Sequence, residues 1–398
     1  MGHLRQNLHT KNSQVIIGLF LALCLIMMIE TVSLAKGWTT DITSVDGTQH
    51  ITVRHGKETL KVVMRGDIQW LEDESGIASM DEGSLLILEE RSRSGKHRLE
   101  VRPKADGTPE YNWTVGRKEQ PFDAGGEAWL KRMLPQIYRS TGFDADNRVA
   151  RLLAQGGLDA ALDEVGEISR DNVQRLYLVE ILEQIDPTAD GLTDILRTAA
   201  REVGNDYELR QVMAHVGPEA LDGGAGDALL EVAREVGNDH ELRRMLETLL
   251  DRALVADGLT VARAERLVDA AHGIGNDHEL AQFVGALNRS LEDEQGLPSN
   301  LPRLVRFIDN DYELRRTLVD LLQRPALRGD DLRSILDLAS QGIGNDHELA
   351  RVLVAIGHQH PPGEDLMPAV DRALGQIGND HERSRAEDAL GRSADLAP

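Results

Sequence analysis

Four times in this chain a histidine is followed directly by a glutamate: His240-Glu241, His278-Glu279, His347-Glu348 and His381-Glu382. An imidazole beside a carboxylate opens the zinc-protease signature HExxH, which needs a second histidine one helical turn later so that both rings face one ion. That second position holds Arg244, Gln282, Arg351 and Arg385, so the signature fails each time. An aspartate precedes every one of these pairs, and a ladder of Asp, His and Glu could in principle gather oxygen ligands for a hard cation such as calcium. Two observations argue against it. Tyr207 and Tyr312 replace the histidine in two further copies, and packed helices stand about 8–10 Å apart, too far for neighbouring rungs to share an ion. The rings are expected to be planar spacers at a helical corner. His358, His360 and the adjacent Pro361-Pro362 are expected in a surface loop. Cys24 is the only cysteine and lies in the N-terminal apolar run, which excludes thiol nucleophiles, disulfides and cysteine-based zinc sites from a processed chain. The phosphate-cradling pattern G-x-x-x-x-G-K-[ST] is absent. No catalytic, cofactor-binding or metal-ligating residue is assigned, and the chain is expected not to be an enzyme.

The histidines belong to a longer phrase. It reads Val203-Gly204-Asn205-Asp206-Tyr207-Glu208-Leu209, then Val236-Gly237-Asn238-Asp239-His240-Glu241-Leu242, then Ile274-Gly275-Asn276-Asp277-His278-Glu279-Leu280. Further copies are Ile308-Asp309-Asn310-Asp311-Tyr312-Glu313-Leu314, Ile343-Gly344-Asn345-Asp346-His347-Glu348-Leu349 and Ile377-Gly378-Asn379-Asp380-His381-Glu382-Arg383, with a degenerate first copy at Ile168-Ser169-Arg170-Asp171. The aspartates are 35, 33, 38, 34, 35 and 34 residues apart. Such a period marks a solenoid or related array, in which each unit can bury its apolar face only against its neighbours.

Every residue of the phrase has a structural reading. Glycine suits the left-handed end of one helix, and asparagine caps the next. Glutamate three residues on completes a capping box, while the aspartate between them suits the positive end of the new helix dipole. Four aspartates also stand four residues before an arginine (Asp171/Arg175, Asp206/Arg210, Asp239/Arg243, Asp311/Arg315), which predicts weak same-face ion pairs. Around each corner the apolar positions repeat. Eight residues before the glycine position stand Leu196, Leu229, Leu267, Leu301, Leu336 and Val370; after the corner runs a stripe such as Leu242/Leu246/Leu249. Two amphipathic helices per repeat follow. The last copy, continuing Arg383-Ser384-Arg385, has the polar face of a terminal cap.

The first half differs. All four tryptophans lie between Trp38 and Trp129, and residues 38 to about 118 read as short strands bounded by Gly, Asp, Ser or Pro, among them 50–54, 59–64, 84–89, 97–101 and 111–115. A small antiparallel meander, a rolled sheet or a half-open barrel is expected. Glu127 to Arg139 carries Trp129, Leu130, Met133, Leu134 and Ile137 on one helical face and is read as a connecting helix. The fold class is thus α+β as separate domains: a small antiparallel β domain over 36–120, a connecting helix over 121–145, and an all-α two-helix-repeat solenoid of about six repeats over 146–398. Residues 1–35 combine Arg5 and Lys11, an apolar run from Val15 to Ile29, and Ser33 and Ala35 at signal-peptidase spacing, the layout of a signal peptide or a membrane anchor. A formal charge of −23 disfavours nucleic acid and anionic lipid.

In its two-helix units the chain resembles the HEAT-like α-solenoids. On Ile77-Ala78-Ser79-Met80, the strand Leu85 to Glu90, Arg98-Leu99-Glu100-Val101 and the recurrent Asp-Tyr-Glu, it is also similar to the extracytoplasmic β-plus-helical-repeat segment associated with bacterial M56/BlaR1-type proteins. The peptidase part of those proteins has no counterpart among these residues, so no peptidase activity is implied. What the resemblance implies is an exported interaction module, periplasmic or on the extracytoplasmic face of a bacterial inner membrane, modulating an envelope sensing or stress pathway. Its partner is expected to be a protein or peptide of unknown identity, with the membrane met only through an uncleaved N-terminal segment. A metal-binding protein or enzyme using the Asp/His/Glu ridge, and a structural spacer, are the alternatives. Any binding surface is expected on the variable helix faces between the corners.

Overall fold

The computed structural model describes residues 38–392 apart from Asp73, Ser94, Asp257, Asp293, Gln295, Ala326 and Arg328. The expected export segment and Cys24 lie outside the described residues. The chain forms two compact units that divide between Ala145 and Asp146.

In the first unit, alternation of apolar and polar residues builds a one-sided sheet. Strands β1 (Trp38–Val45), β2 (Thr48–His55), β3 (Glu58–Arg65), β6 (Leu85–Ser92), β7 (Gly95–Pro103), β8 (Pro109–Val115) and β9 (Lys118–Gln120) pair antiparallel in the order β1-β2-β3-β6-β7-β8-β9. Between β3 and β6 the chain detours through a separate two-stranded sheet, β4 (Ile68–Trp70) and β5 (Ile77–Met80). The β1–β2 connection pairs Val45 with Thr48 across Asp46-Gly47, both with positive φ (49° and 72°), the tight turn whose twist matches the strands it joins. Among the described residues the sheet is an open meander rather than a barrel, with β1 and β9 at its two edges.

One face of the sheet carries Leu60, Val62, Met64, Leu86, Leu88, Leu99, Val101 and Trp113. Helix α1 (Ala124–Thr141) lays Trp129, Leu130, Met133, Leu134, Ile137 and Tyr138 on the same core. The segment read as a connecting helix is therefore an integral layer of the first unit. Its start is set by Asp123, whose carboxylate accepts from the Gly125 N–H at 3.0 Å.

The second unit begins with α2 (Ala145–Glu167), broken at Gly157, where φ is 69° and the helical path is lost. Seven aspartate-headed helices then alternate with a second set. The headed helices are α3 (Asp171–Gln184), α5 (Asp206–Met213), α7 (Asp239–Ala256), α9 (Asp277–Ser290), α11 (Asp311–Leu321), α13 (Asp346–Gln359) and α15 (Asp380–Ala389). Between them run α4 (Ala189–Glu202), α6 (Gly223–Glu235), α8 (Val261–Ala270), α10 (Leu301–Val305), α12 (Gly329–Gly342) and α14 (Met367–Gln376). Each set packs on its own successive members, giving two layers. The predicted stripes form the seam: Leu196, Leu229, Leu267, Leu301, Leu336 and Val370 are at most 1% exposed, as are Leu242, Leu246 and Leu249. Helix α15 buries only Ala386. Among the described residues no helix is long and apolar enough to cross a membrane.

Leu99 is fully buried at the middle of the sheet, under α1. Leu99→Ala should destabilise the first unit by about 2–5 kcal/mol, the cost of a large-to-small change in a packed core. All tryptophans belong to residues 38–129, so urea unfolding followed by tryptophan fluorescence reads this unit alone. A change under about 1 kcal/mol would mean the core is not packed as described.

Candidate functional site

The repeat corners were the residues singled out by sequence, and their geometry assigns each a partner in an adjacent repeat. The buried residue that leads into the corner, such as Val203 (φ −90°, ψ 101°) or Ile274 (φ −79°, ψ 107°), is extended, and the asparagine after the glycine is extended too. Its side chain then caps the headed helix: Asn205, Asn238, Asn276, Asn310, Asn345 and Asn379 each accept from the N–H of Glu208, Glu241, Glu279, Glu313, Glu348 and Glu382, at 3.1–3.2 Å. The capping expectation holds for this half of the box. The glycine expectation does not: none of Gly204, Gly237, Gly275, Gly344 and Gly378 has a positive φ. The helix before the corner unwinds into an extended segment instead of closing with a left-handed residue, which is why Ser169 and Asp309 can occupy the same position.

The aspartate is not merely a dipole charge. Asp171 accepts from the Gly204 N–H at 2.8 Å, Asp206 from Asn238 at 2.7 Å, Asp239 from Gly275 at 3.0 Å and Asp277 from Asn310 at 2.8 Å. Asp311 accepts from Gly344 and Asn345 at 3.2 and 2.8 Å, and Asp346 from Asn379 at 2.7 Å. Each carboxylate thus holds the backbone of the next corner, about one period away. Asp380, at the last corner, has a side chain 98% exposed.

The glutamate also bonds between repeats, which replaces the second half of the predicted capping box. Glu208 accepts from Arg175 at 2.5 Å and Glu348 from Arg315 at 2.7 Å; Arg210 to Glu241 and Arg243 to Glu279 make the same link. The predicted pairs between each aspartate and the arginine four residues later do not form, because those arginines are turned onto the following repeat's glutamate. At the two corners where this position is Ala281 or Ala350, the histidine takes over: His278 Nδ1 lies 3.1 Å from Glu313 and His347 Nδ1 3.1 Å from Glu382. The hydrogen bond from Arg243, together with the charges of Arg243 and His240, holds the Glu279 carboxyl below the usual glutamate range.

The planar residues divide: His278 and His347 join the carboxylate network, while the two tyrosines lie over arginines. Tyr207 and Tyr312 are about half exposed, with the guanidinium groups of Arg210 and Arg315 at 5.1 and 4.7 Å from their ring centres. The side chains of His240, His278 and His347 are likewise just over half exposed. Among the described residues no group of three His, Cys, Asp or Glu side chains could hold a metal ion. His358 lies within α13 and His360 ends it, its Nε2 2.8 Å from the Leu322 carbonyl, so the expected histidine loop is a helix end.

The first unit also holds a cleft that no sequence motif marks. It encloses about 690 Å³ beside α1 and is lined by His97, Trp113, Lys118, Gly126, Trp129 and Arg132 among others. Trp113 and Trp129 wall it with ring centres 4.5 Å apart, yet they are only 5% and 3% exposed. Trp129 donates to Glu90 at 2.7 Å, and His97 and Arg132 stand 3.4 and 3.6 Å from the same carboxylate. The tryptophans were visible in the sequence only as a change of composition; their meeting across a strand and a helix depends on register.

Comparison with known proteins finds no matching family model, no matching curated protein and no matching solved structure.

A carboxyl held below its ordinary range stabilises the fold fully above the unfolded value, near pH 4.5 for glutamate, and loses that contribution as pH falls through the folded value. Glu279→Gln should therefore be less stable than wild type at pH 7, and the gap should narrow as pH is lowered towards 3. Thermal melts followed by circular dichroism across this range check it; a gap that stays constant or widens on acidification contradicts the assignment.

Proposed function

We propose that this chain is an exported, non-catalytic interaction module of a bacterial envelope, whose repeat unit takes a protein or peptide partner along the edge formed by its corners. The single observation behind this reading is where aromatic surface lies. The repeat unit contains five Phe and Tyr residues, Tyr177, Tyr207, Phe283, Phe307 and Tyr312. Tyr177 and Phe283 are fully buried, while Tyr207, Phe307 and Tyr312 are 49%, 62% and 53% exposed. All three exposed rings belong to the corners or sit directly before one, and His272 packs edge-on to Phe307 at 5.7 Å. Exposed aromatic residues are the side chains that anchor interfaces, and Tyr207 and Tyr312 occupy the same corner position as the half-exposed histidines. This favours the corner edge over the helix faces between corners. The carboxylates of the same corners are occupied in joining repeats, which supports binding over a metal or acid–base role for that ridge. The resemblance in the β and repeat segments supports an envelope sensing or stress pathway as the setting.

The test is affinity capture from bacterial envelope extract with the wild-type chain and a Tyr207→Ala/Phe307→Ala/Tyr312→Ala variant that melts at the same temperature. The reading expects a partner retained by wild type and reduced at least about tenfold on the variant, the loss of two or more anchor residues being worth over 1.4 kcal/mol. Equal recovery on both proteins, or none on either, contradicts it.

A further inference from the structure

We infer that the corner edge is built for a basic, proline-rich segment in the polyproline II conformation, an inference that rests on the edge being the partner-binding surface. Three observations carry it. The first is spacing. Tyr207, His240, His278, Tyr312, His347 and His381 occupy the same position, second in successive headed helices, so the row advances by one ring per repeat. Neighbouring headed helices pack directly on each other, which sets that advance at about 8–10 Å. A β-strand presents one face every two residues, about 7 Å, and an α-helix returns to one face every turn, about 5.4 Å. Polyproline II has three residues per turn at about 3.1 Å each, so it offers the same face every ~9 Å. Of the three backbone forms, it alone meets each ring once with no residue of the same face falling between.

The second observation is rigidity. The rings do not hang from a loop. All but His381 are fixed between an aspartate bonded to the next corner and a glutamate bonded to the previous one. Tyr207 and Tyr312 lie against arginines that are themselves held by Glu241 and Glu348. A preset row of planar groups loses little entropy on binding, and a preset polyproline helix loses little in turn. The third is charge. In the six stretches of six residues beginning at Asp206, Asp239, Asp277, Asp311, Asp346 and Asp380, carboxylates outnumber arginines twelve to eight. The excess favours Lys or Arg at the ligand positions that point away from the rings.

The probe is a fluorescein-labelled (Pro-Pro-Arg)5 peptide titrated with the full chain by anisotropy, beside (Gly-Ser-Arg)5 of the same length and charge and (Pro-Pro-Glu)5 of opposite charge. The inference expects (Pro-Pro-Arg)5 to bind at least tenfold more tightly than either control. It also expects the Tyr207→Ala/Phe307→Ala/Tyr312→Ala variant to lose at least tenfold. Equal binding of (Pro-Pro-Arg)5 and (Gly-Ser-Arg)5 reduces the attraction to charge and overturns the inference, as does equal binding to wild type and variant. If envelope capture depends on the three rings while (Pro-Pro-Arg)5 fails to bind, the edge reading stands and the polyproline assignment falls. If neither depends on the rings, both fall.

Discussion

The repeat unit depends on one recurring interaction: a carboxylate at the head of one helix accepts the backbone N–H groups of the next corner. Those N–H groups sit in an extended segment between two helices, where no helical or sheet partner exists for them, and an unpaired backbone group away from water costs free energy comparable to a lost hydrogen bond. Asp171, Asp206, Asp239, Asp277, Asp311 and Asp346 each satisfy that need for the repeat that follows. Six of the seven heading aspartates reach the next corner, and the aspartate spacing stays between 33 and 38 residues while the connecting helices and loops vary.

The glutamate links add a second tie of different character. Arg315 and Glu348 are 9% and 16% exposed at the side chain, so their pairing is largely removed from water, where the loss of one partner leaves the other poorly solvated. The two corners with alanine at the arginine position keep the tie through the histidine three residues earlier. The same glutamate is thus held by different donors, while Tyr207 and Tyr312 keep their rings outward over arginine. At the tyrosine corners tie and surface are separated within a phrase of seven residues: the carboxylates bond to neighbouring repeats and the rings lie half exposed over arginine.

Much of this was legible in advance. Period, helix pairs, the buried stripes and the asparagine caps follow from local rules of spacing and capping, and the strands of the first unit from alternation and turn residues. What could not be read was every contact made across a period. A capping box and an aspartate–arginine pair four residues apart are the nearest explanations within one helix, and both were displaced by partners some 31 to 36 residues away. The glycine was assigned a left-handed conformation because helix ends favour it; the extended path into the corner removes that need. The three exposed aromatics carried no signal beyond their scarcity, since Tyr177 and Phe283 look no different in the sequence and are fully buried. Similarly, α1 read as a connector because an amphipathic helix does not say which core receives it.

The central claim is that each corner is held by the aspartate of the repeat before it. Hydrogen–deuterium exchange of the segment 308–314 in an Asp277→Ala variant tests this most directly, since Asp277 accepts from the Asn310 N–H. Leaving that donor without its partner should cost about 1–3 kcal/mol. The account therefore predicts exchange there faster by about tenfold to a hundredfold, with the corner at Asn205, three junctions away, unchanged. Unaltered exchange at 308–314, or an equal acceleration at every corner, would contradict it.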